Sequence, residues 1–278
     1  MWVNGKKKVE ALEYSRALQF GDGCFTTIAV ISGKALMLKA HLKRLRENCE
    51  RLLMNDPDFI KLENEINSIA VKQKKAVLKV ILITSDGMNG RGYSRGCNHA
   101  STRIILLLPW PTHYIKLQKT GVRLFTSPIR LARNPFFAGM KHLNRLEQVL
   151  IRQHIDYKGG DEALVLDTKG IVIECCTANL FWRKQNDIYT PCLNESGVEG
   201  IMRNYFITQL VASGQVCNIA NYSREDVLQA DEVTICNALM PVLPVYAIDN
   251  VYFNTGLLYK QFYETCCKYY NLHCNDHD

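Results

Sequence analysis

Gly139-Met140-Lys141-His142-Leu143-Asn144-Arg145-Leu146-Glu147 sets a lysine between a glycine-containing turn, residues 134–139, and an amphipathic run. A lysine amine held against apolar walls can lose its proton near neutral pH and then form a Schiff base with a carbonyl. Taken alone, a lysine at a helix start reads as a solvated surface charge, because Lys is among the least buried residue types. The residues that accompany it elsewhere in the chain change that reading.

The chain has 278 residues, 47% hydrophobic and 22% charged, enough for one large core or two smaller ones. The first residues, Met1-Trp2-Val3-Asn4-Gly5-Lys6-Lys7-Lys8, hold no apolar h-region, so no signal peptide is expected. The longest apolar runs, residues 80–83 and 104–108, are far too short to cross a bilayer, and no membrane partner is expected. Eleven cysteines include two adjacent pairs, Cys175-Cys176 and Cys266-Cys267, and no CxxC. Free thiols in a reducing cytoplasm are the economical reading, and no metal site is assigned. His273, Cys274 and His277 form a loose group, read as part of a frayed tail at residues 274–278. The net charge of +7 is scattered and lacks the aromatic interleaving of an RNA-binding surface, which argues against nucleic acid.

Periodicity divides the chain further. Trp2-Val3 meets an Asn4-Gly5 hairpin turn, and residues 25–31 and 35–38 form a second hairpin around Ser32-Gly33. Helices are expected over 39–54 and 59–72, and strands over 76–84 and 103–109 with a glycine-rich loop between them. Pro109-Trp110-Pro111-Thr112-His113 reads as a linker, dividing an N-terminal unit, 1–113, from a C-terminal unit, 114–278, that carries Lys141. Beyond it come a strand at 122–128, a helix to about 154, and strands at 162–167, 171–174, 179–183 and 187–190. A helix at 200–213, a helix start capped by Ser223, strands at 232–236 and 242–248, and a helix at 256–270 complete the chain. Hairpins and helices alternate without a βαβ rhythm, which predicts an α+β, two-domain α/β architecture rather than a doubly wound sheet. Gly87, Gly90 and Gly92 do not spell a dinucleotide fingerprint, and the loop reads either as a flexible hairpin end or as a substrate loop carrying Arg91.

Four features, each weak alone, carry chemistry. Lys141 is the first. Glu174 closes an apolar strand, where it is either a solvated strand end or the partner of a cationic ring nitrogen. Gly197-Val198-Glu199-Gly200-Ile201-Met202-Arg203 puts glycines before a helix, an ordinary junction or a phosphate cradle. Arg44, in an amphipathic helix, is surface charge or a fork for phosphate oxygens. An amine for an aldehyde, a carboxylate for a ring nitrogen and two phosphate contacts together describe one ligand, pyridoxal 5′-phosphate.

The order and spacing of these pieces resemble the fold-type IV pyridoxal-phosphate enzymes, the class that includes branched-chain and D-amino-acid aminotransferases. The resemblance rests on Phe20-Gly21-Asp22-Gly23-Cys24-Phe25, His41-Leu42-Lys43-Arg44-Leu45, the Lys141 segment, Glu174 with Asn179-Leu180-Phe181, Gly200-Ile201-Met202-Arg203, and Cys236-Asn237-Ala238-Leu239-Met240-Pro241-Val242. It implies Lys141 as the Schiff-base lysine, Glu174 as the pyridine-nitrogen partner, and Arg44 with the backbone of Ile201 and Met202 at the phosphate. It also implies phosphate contacts from Asn237, Ala238 and Leu239, and substrate contacts from Arg91 and Thr26. In this class the Arg91 loop reaches into the neighbouring subunit's site, which implies a homodimer. Thr26 stands where the aminotransferases carry an acidic residue. Together with the matching segments 19–27, 90–94, 139–150, 161–167 and 236–242, this makes the chain resemble most the lyase branch of the class, which implies action in folate biosynthesis on 4-amino-4-deoxychorismate to give 4-aminobenzoate and pyruvate. A branched-chain or D-amino-acid aminotransferase is the alternative.

Overall fold

In the computed structural model, residues 1–7, 15–85, 91–96 and 99–270 are described. They form two compact units: Met1–Trp110 with Met140–Asn144, and Pro111–Gly139 with the chain from Arg145 onward. The His273, Cys274 and His277 group and residues 86–90 lie outside the described residues.

The first unit opens with β1 (Trp2–Val3) and β2 (Lys6–Lys7), joined by Asn4 and Gly5 at φ 45° and 79°. Two positive φ angles in sequence are what a tight primed turn demands. Next come a short helix α1 (Arg16–Phe20), the long strand β3 (Gly23–Ile31), and β4 (Lys34–Ala35) across the Ser32-Gly33 turn. The expected strand over 35–38 is cut short, because Met37 turns left-handed at φ 52° and caps helix α2 (Leu38–Arg51). Helix α3 (Phe59–Ala70) and strands β5 (Lys75–Thr84) and β6 (Ser101–Leu108) complete the unit. The sheet runs β2-β1-β6-β5-β3-β4, every pair antiparallel. One face buries Cys24, Ile28, Leu78, Val80 and Leu82 against Leu42, Leu45, Leu62 and Ile66 of α2 and α3. The helical spacing of those last four and the two-residue spacing of the strand positions are why the pattern was readable.

The second unit begins at α4 (His113–Thr120), a helix that the sequence reading left inside and after the linker. Then follow β7 (Val122–Thr126), α5 (Leu146–Lys158), β8 (Glu162–Leu166), β9 (Val172–Cys175), β10 (Asn179–Lys184) and β11 (Asp187–Pro191). Helix α6 (Ile201–Ala212), β12 (Cys217–Ala220), α7 (Arg224–Leu228), β13 (Glu232–Cys236), β14 (Leu243–Ile248), β15 (Val251–Tyr252) and α8 (Leu257–Tyr270) end the described chain. The nine-stranded sheet is mixed, in the order β12-β11-β10-β13-β14-β7-β8-β9 with β15 beside β14. Strands β7 and β8 pair in parallel across α5, and β11 and β12 across α6. The expected absence of a βαβ rhythm is therefore corrected. Nineteen residues lie between β7 and α5, and β12 is only four residues long, so neither crossover stood out in the pattern.

Ser223 caps α7 as expected, in a reciprocal capping box with Asp226. Along β10 the side chains alternate: Leu180 and Trp182 enter one core with Val233 and Val245, while Phe181 meets Phe206 of α6 and Phe262 of α8 edge-on. Those two phenyl rings stack with centroids 3.9 Å apart. No helix among the described residues is long and apolar enough to cross a membrane.

The linker expected at 109–113 falls beside the boundary after Trp110, but the Lys141 segment departs from the expected division. Its backbone completes the first unit's sheet. The Phe25 N–H donates to the Lys141 carbonyl (3.0 Å), and the Leu143 N–H donates to Gly23 (3.0 Å). Cys24 and His142 form an antiparallel bridge between these bonds.

Candidate functional site

In the first unit, the pairing at the edge of β3 sets Lys141 directly opposite Phe25, so both side chains leave the same face. The half-buried Lys141 amine lies 4.7 Å from the Phe25 ring centre, and the Lys79 amine lies 4.9 Å from it. Phe25 gives the amine an aromatic neighbour, and Lys79 places a second basic side chain beside that ring. Lys79 escaped the sequence reading because it is one lysine among many in a strand.

Thr26 points to the opposite, helix-covered face and is fully buried. Arg44 Nη2 donates to its hydroxyl oxygen, and that oxygen lies 2.6 Å from His41 Nδ1. Burial, then the charge of Arg44, push the His41 pKa well below its ordinary value, so the ring is neutral. Arginine can only donate, so the Thr26 hydroxyl oxygen accepts from Arg44, and the same oxygen is hydrogen-bonded to Nδ1 of the neutral ring. This gives Thr26 the task of orienting Arg44. The hydroxyl expected to meet substrate is shared, in this geometry, between Arg44 and His41.

Arg91 is exposed, and the segment that follows it is tied down by residues the sequence reading had not singled out. Asp22 accepts from Arg16 Nε (2.9 Å) and from Arg95 Nε (3.0 Å) and Nη2 (2.6 Å). Burial opposes its charge, but the hydrogen bonds and charges of Arg95 and Arg16 outweigh it and hold the carboxyl below its ordinary pKa. Asp22 lies within the GDG stretch, which was the available signal.

In the second unit, Glu174 on β9 is buried, and its Oε2 accepts the Val198 N–H at 2.8 Å. The solvated strand end is thereby ruled out. Arg145 is a cation that the sequence reading missed here: burial lowers its pKa, while the charges of Glu174 and Glu147 oppose that shift. The Val198 strand position is fixed by Gly139, whose N–H donates to Gly197 (3.0 Å) and whose carbonyl accepts from Glu199 (3.0 Å). Gly197 sits at φ 84°, where a Cβ would fall 2.5 Å from Ile173 Cγ2. At Gly200, the N-cap of α6, a Cβ would fall 2.0 Å from Asn179 Oδ1. Asn179 in turn donates to the Val198 carbonyl at 3.0 Å. No side chain caps α6, which leaves the N–H groups of Ile201 and Met202 at its positive end for a ligand.

The Asn237 turn is built differently from the expectation. Asn237 Oδ1 accepts the N–H groups of Leu239 (2.9 Å) and Met240 (2.8 Å), and its amide donates to the Thr177 carbonyl (3.1 Å). The Leu239 N–H is thus already engaged by Asn237, whose side chain shapes the turn around Ala238. Tyr270 holds that turn from α8, donating to the Ala238 carbonyl at 3.0 Å.

The profile of the amino-transferase class IV family matches residues 23–248. This chain belongs to the class IV aminotransferase family. Among its class IV relatives, the aminodeoxychorismate lyase of Vibrio harveyi is 36% identical over 247 residues, spanning 89% of this chain and 90% of its own. The crystal structure of 4-amino-4-deoxychorismate lyase from Pseudomonas aeruginosa superposes with a TM-score of 0.92 at 33% identity, covering 98% of this chain and 99% of that one. A hypothetical aminotransferase from Mycobacterium tuberculosis, solved in its PLP-bound form, shares the fold with a TM-score of 0.80 at 18% identity, over 96% of this chain and 95% of that one. The expected class IV fold, with mixed α/β content in two sheets, is the observed one.

Proposed function

We propose that this class IV protein is a pyridoxal 5′-phosphate-dependent lyase that converts 4-amino-4-deoxychorismate to 4-aminobenzoate and pyruvate. One observation carries the reading: the likeness to two lyases of that name runs over 89% and 98% of the chain. The residues fit the cofactor. Lys141 supplies a half-buried amine against an aromatic wall, and Glu174 a buried carboxylate held by a backbone N–H. Gly197 and Gly200 keep side chains away from the uncapped start of α6, which suits a phosphate. We assign Lys141 as the lysine that bonds the cofactor, Glu174 to the ring nitrogen, and Arg44 with the Ile201 and Met202 N–H groups to the phosphate. Asn237 acts by shaping the Ala238 turn, Thr26 by orienting Arg44, and Arg91 by meeting a substrate carboxylate.

When bound, the cofactor supplies an aldehyde for the substrate amine and a ring that accepts an electron pair. The chain's residues do the rest. Glu174 keeps a proton on the ring nitrogen. Lys141 takes the proton from the carbon that bears the substrate nitrogen. The bond to the enolpyruvyl oxygen breaks as the carbocycle becomes aromatic. Protonated Lys141 then returns a proton to the departing fragment, which leaves as pyruvate; one group serves as base and then acid. The alternative, an aminotransferase on the same fold, is disfavoured by Thr26 at the position where that branch carries an acidic side chain. We place the enzyme in the cytoplasm, in keeping with the nine described cysteines, all free thiols, and as a homodimer, as the class resemblance of the Arg91 loop implies.

Product analysis tests the reading. With 4-amino-4-deoxychorismate, equal and enzyme-dependent appearance of 4-aminobenzoate and pyruvate is expected, and Lys141→Ala abolishes both. A yellow protein, bleached by borohydride, that yields neither product removes the lyase and favours the aminotransferase.

A further inference from the structure

Three consecutive carbonyls converge on one buried guanidinium. Arg16, 4% exposed, donates through Nη1 to the carbonyls of Gly92 (3.0 Å) and Ser94 (3.1 Å) and through Nη2 to that of Tyr93 (2.9 Å). Its Nε donates to Asp22. In an extended strand successive carbonyls point to alternate sides, so three on one cation is an imposed geometry. Gly92, at φ 58°, is where the backbone turns to permit it. The rings of Phe20 and Tyr93 lie 5.2 Å apart, and the Arg16 guanidinium lies 5.0 Å from the Phe20 centroid.

Asp22 extends the grip. Arg95, which it also binds, donates through Nη1 to the carbonyls of Leu52 (2.8 Å) and Leu53 (2.7 Å), just past α2. Residues 92–95 are thus tied at one end by Arg16 and at the other by Arg95, with a single carboxylate joining the two cations. Arg91 immediately precedes the gripped carbonyls. Its own carbonyl accepts the Ser94 N–H at 3.1 Å, which closes a turn on the clamped segment.

We infer that Arg16 is a positioning residue for substrate recognition: it fixes the backbone from which Arg91 reaches a carboxylate. The inference rests on the proposed role of Arg91. The five guanidinium donors are what the task requires, because an ammonium presents its donors from a single point and cannot span three carbonyls and Asp22 together.

The test is steady-state kinetics of the cofactor-loaded enzyme with 4-amino-4-deoxychorismate, for Arg16→Ala, Arg16→Lys, Arg91→Ala and the Arg16→Ala/Arg91→Ala pair. Arg16→Ala raises KM about tenfold with kcat within about twofold and cofactor content unchanged. Arg16→Lys fails to restore KM, and it carries the same test should the alanine variant not fold. In the Arg91→Ala background, losing Arg16 raises KM by less than about twofold more, since the two act as one unit. If Arg91→Ala raises KM and the Arg16 variants do not, or if the two effects multiply independently, the inference is overturned and the role of Arg91 stands. Rescue of KM by lysine reduces Arg16 to a counter-charge for Asp22 and overturns it as well. If Arg91→Ala leaves KM unchanged, the role assigned to Arg91 falls, and the inference with it.

Discussion

Glu174 combines burial, a backbone donor and a position beside the glycines that precede α6. Glu174→Gln keeps the shape and removes the charge, so turnover falls by about a hundredfold or more while the cofactor stays bound, measured by activity against cofactor absorbance. Asp22 offers a test by pH. Its folded pKa is depressed below 3.8, so its stabilising effect is complete above that value and is lost as pH falls through the lower, folded pKa. Asp22→Asn therefore lowers denaturant stability at neutral pH, and its deficit against wild type closes as the pH drops below about 3.8. Both residues lay within stretches that were noticed. Glu174 and Lys141 stand out in the sequence because the chemistry proposed for them depends on residue type and order. Arg16, Asp22 and Arg95 could not be grouped, because 73 residues separate Asp22 from Arg95 and nothing local marks that pairing.

Elements with a long period declared themselves. Helices α2, α3, α6 and α8 and strands β3, β5 and β13 stand within about three residues of expectation, since each buries a face whose spacing is visible. Helix α4 did not, because none of its residues is fully buried. The five-residue α1 is too short to show a period. The turn before α6 is the element on which the phosphate assignment depends. Gly197→Ala places a methyl group against Ile173 at a left-handed φ, costing about 1–3 kcal/mol in urea unfolding and weakening cofactor retention. Unchanged stability would mean that the turn has another accessible conformation.

Across the whole molecule, the proposed homodimer and the proposed reach of the Arg91 loop make a joint prediction. Lys141→Ala and Arg91→Ala are each impaired in a different part of the machinery. If the loop serves the neighbouring subunit, a hybrid dimer of the two has one site with both lesions and one with neither. Mixing the unfolded chains equally and refolding them restores about a quarter of wild-type activity. If the loop serves its own subunit, mixing restores nothing. The family and the mixed architecture were legible from the sequence, but the allegiance of residues 140–144 was not. Their pairing with β3 spans more than 110 positions, and no periodicity reports a contact at that range. The same excursion bears on how the protein is made. A ribosome releases all of Met1–Trp110 well before Met140–Asn144, so the first unit waits, during synthesis, without the segment that pairs at Cys24. An uncovered strand edge is a template for adhesion to other nascent chains. A chain truncated after Trp110 keeps that edge bare permanently, so Lys141 is also the residue beside which the amino-terminal half becomes whole.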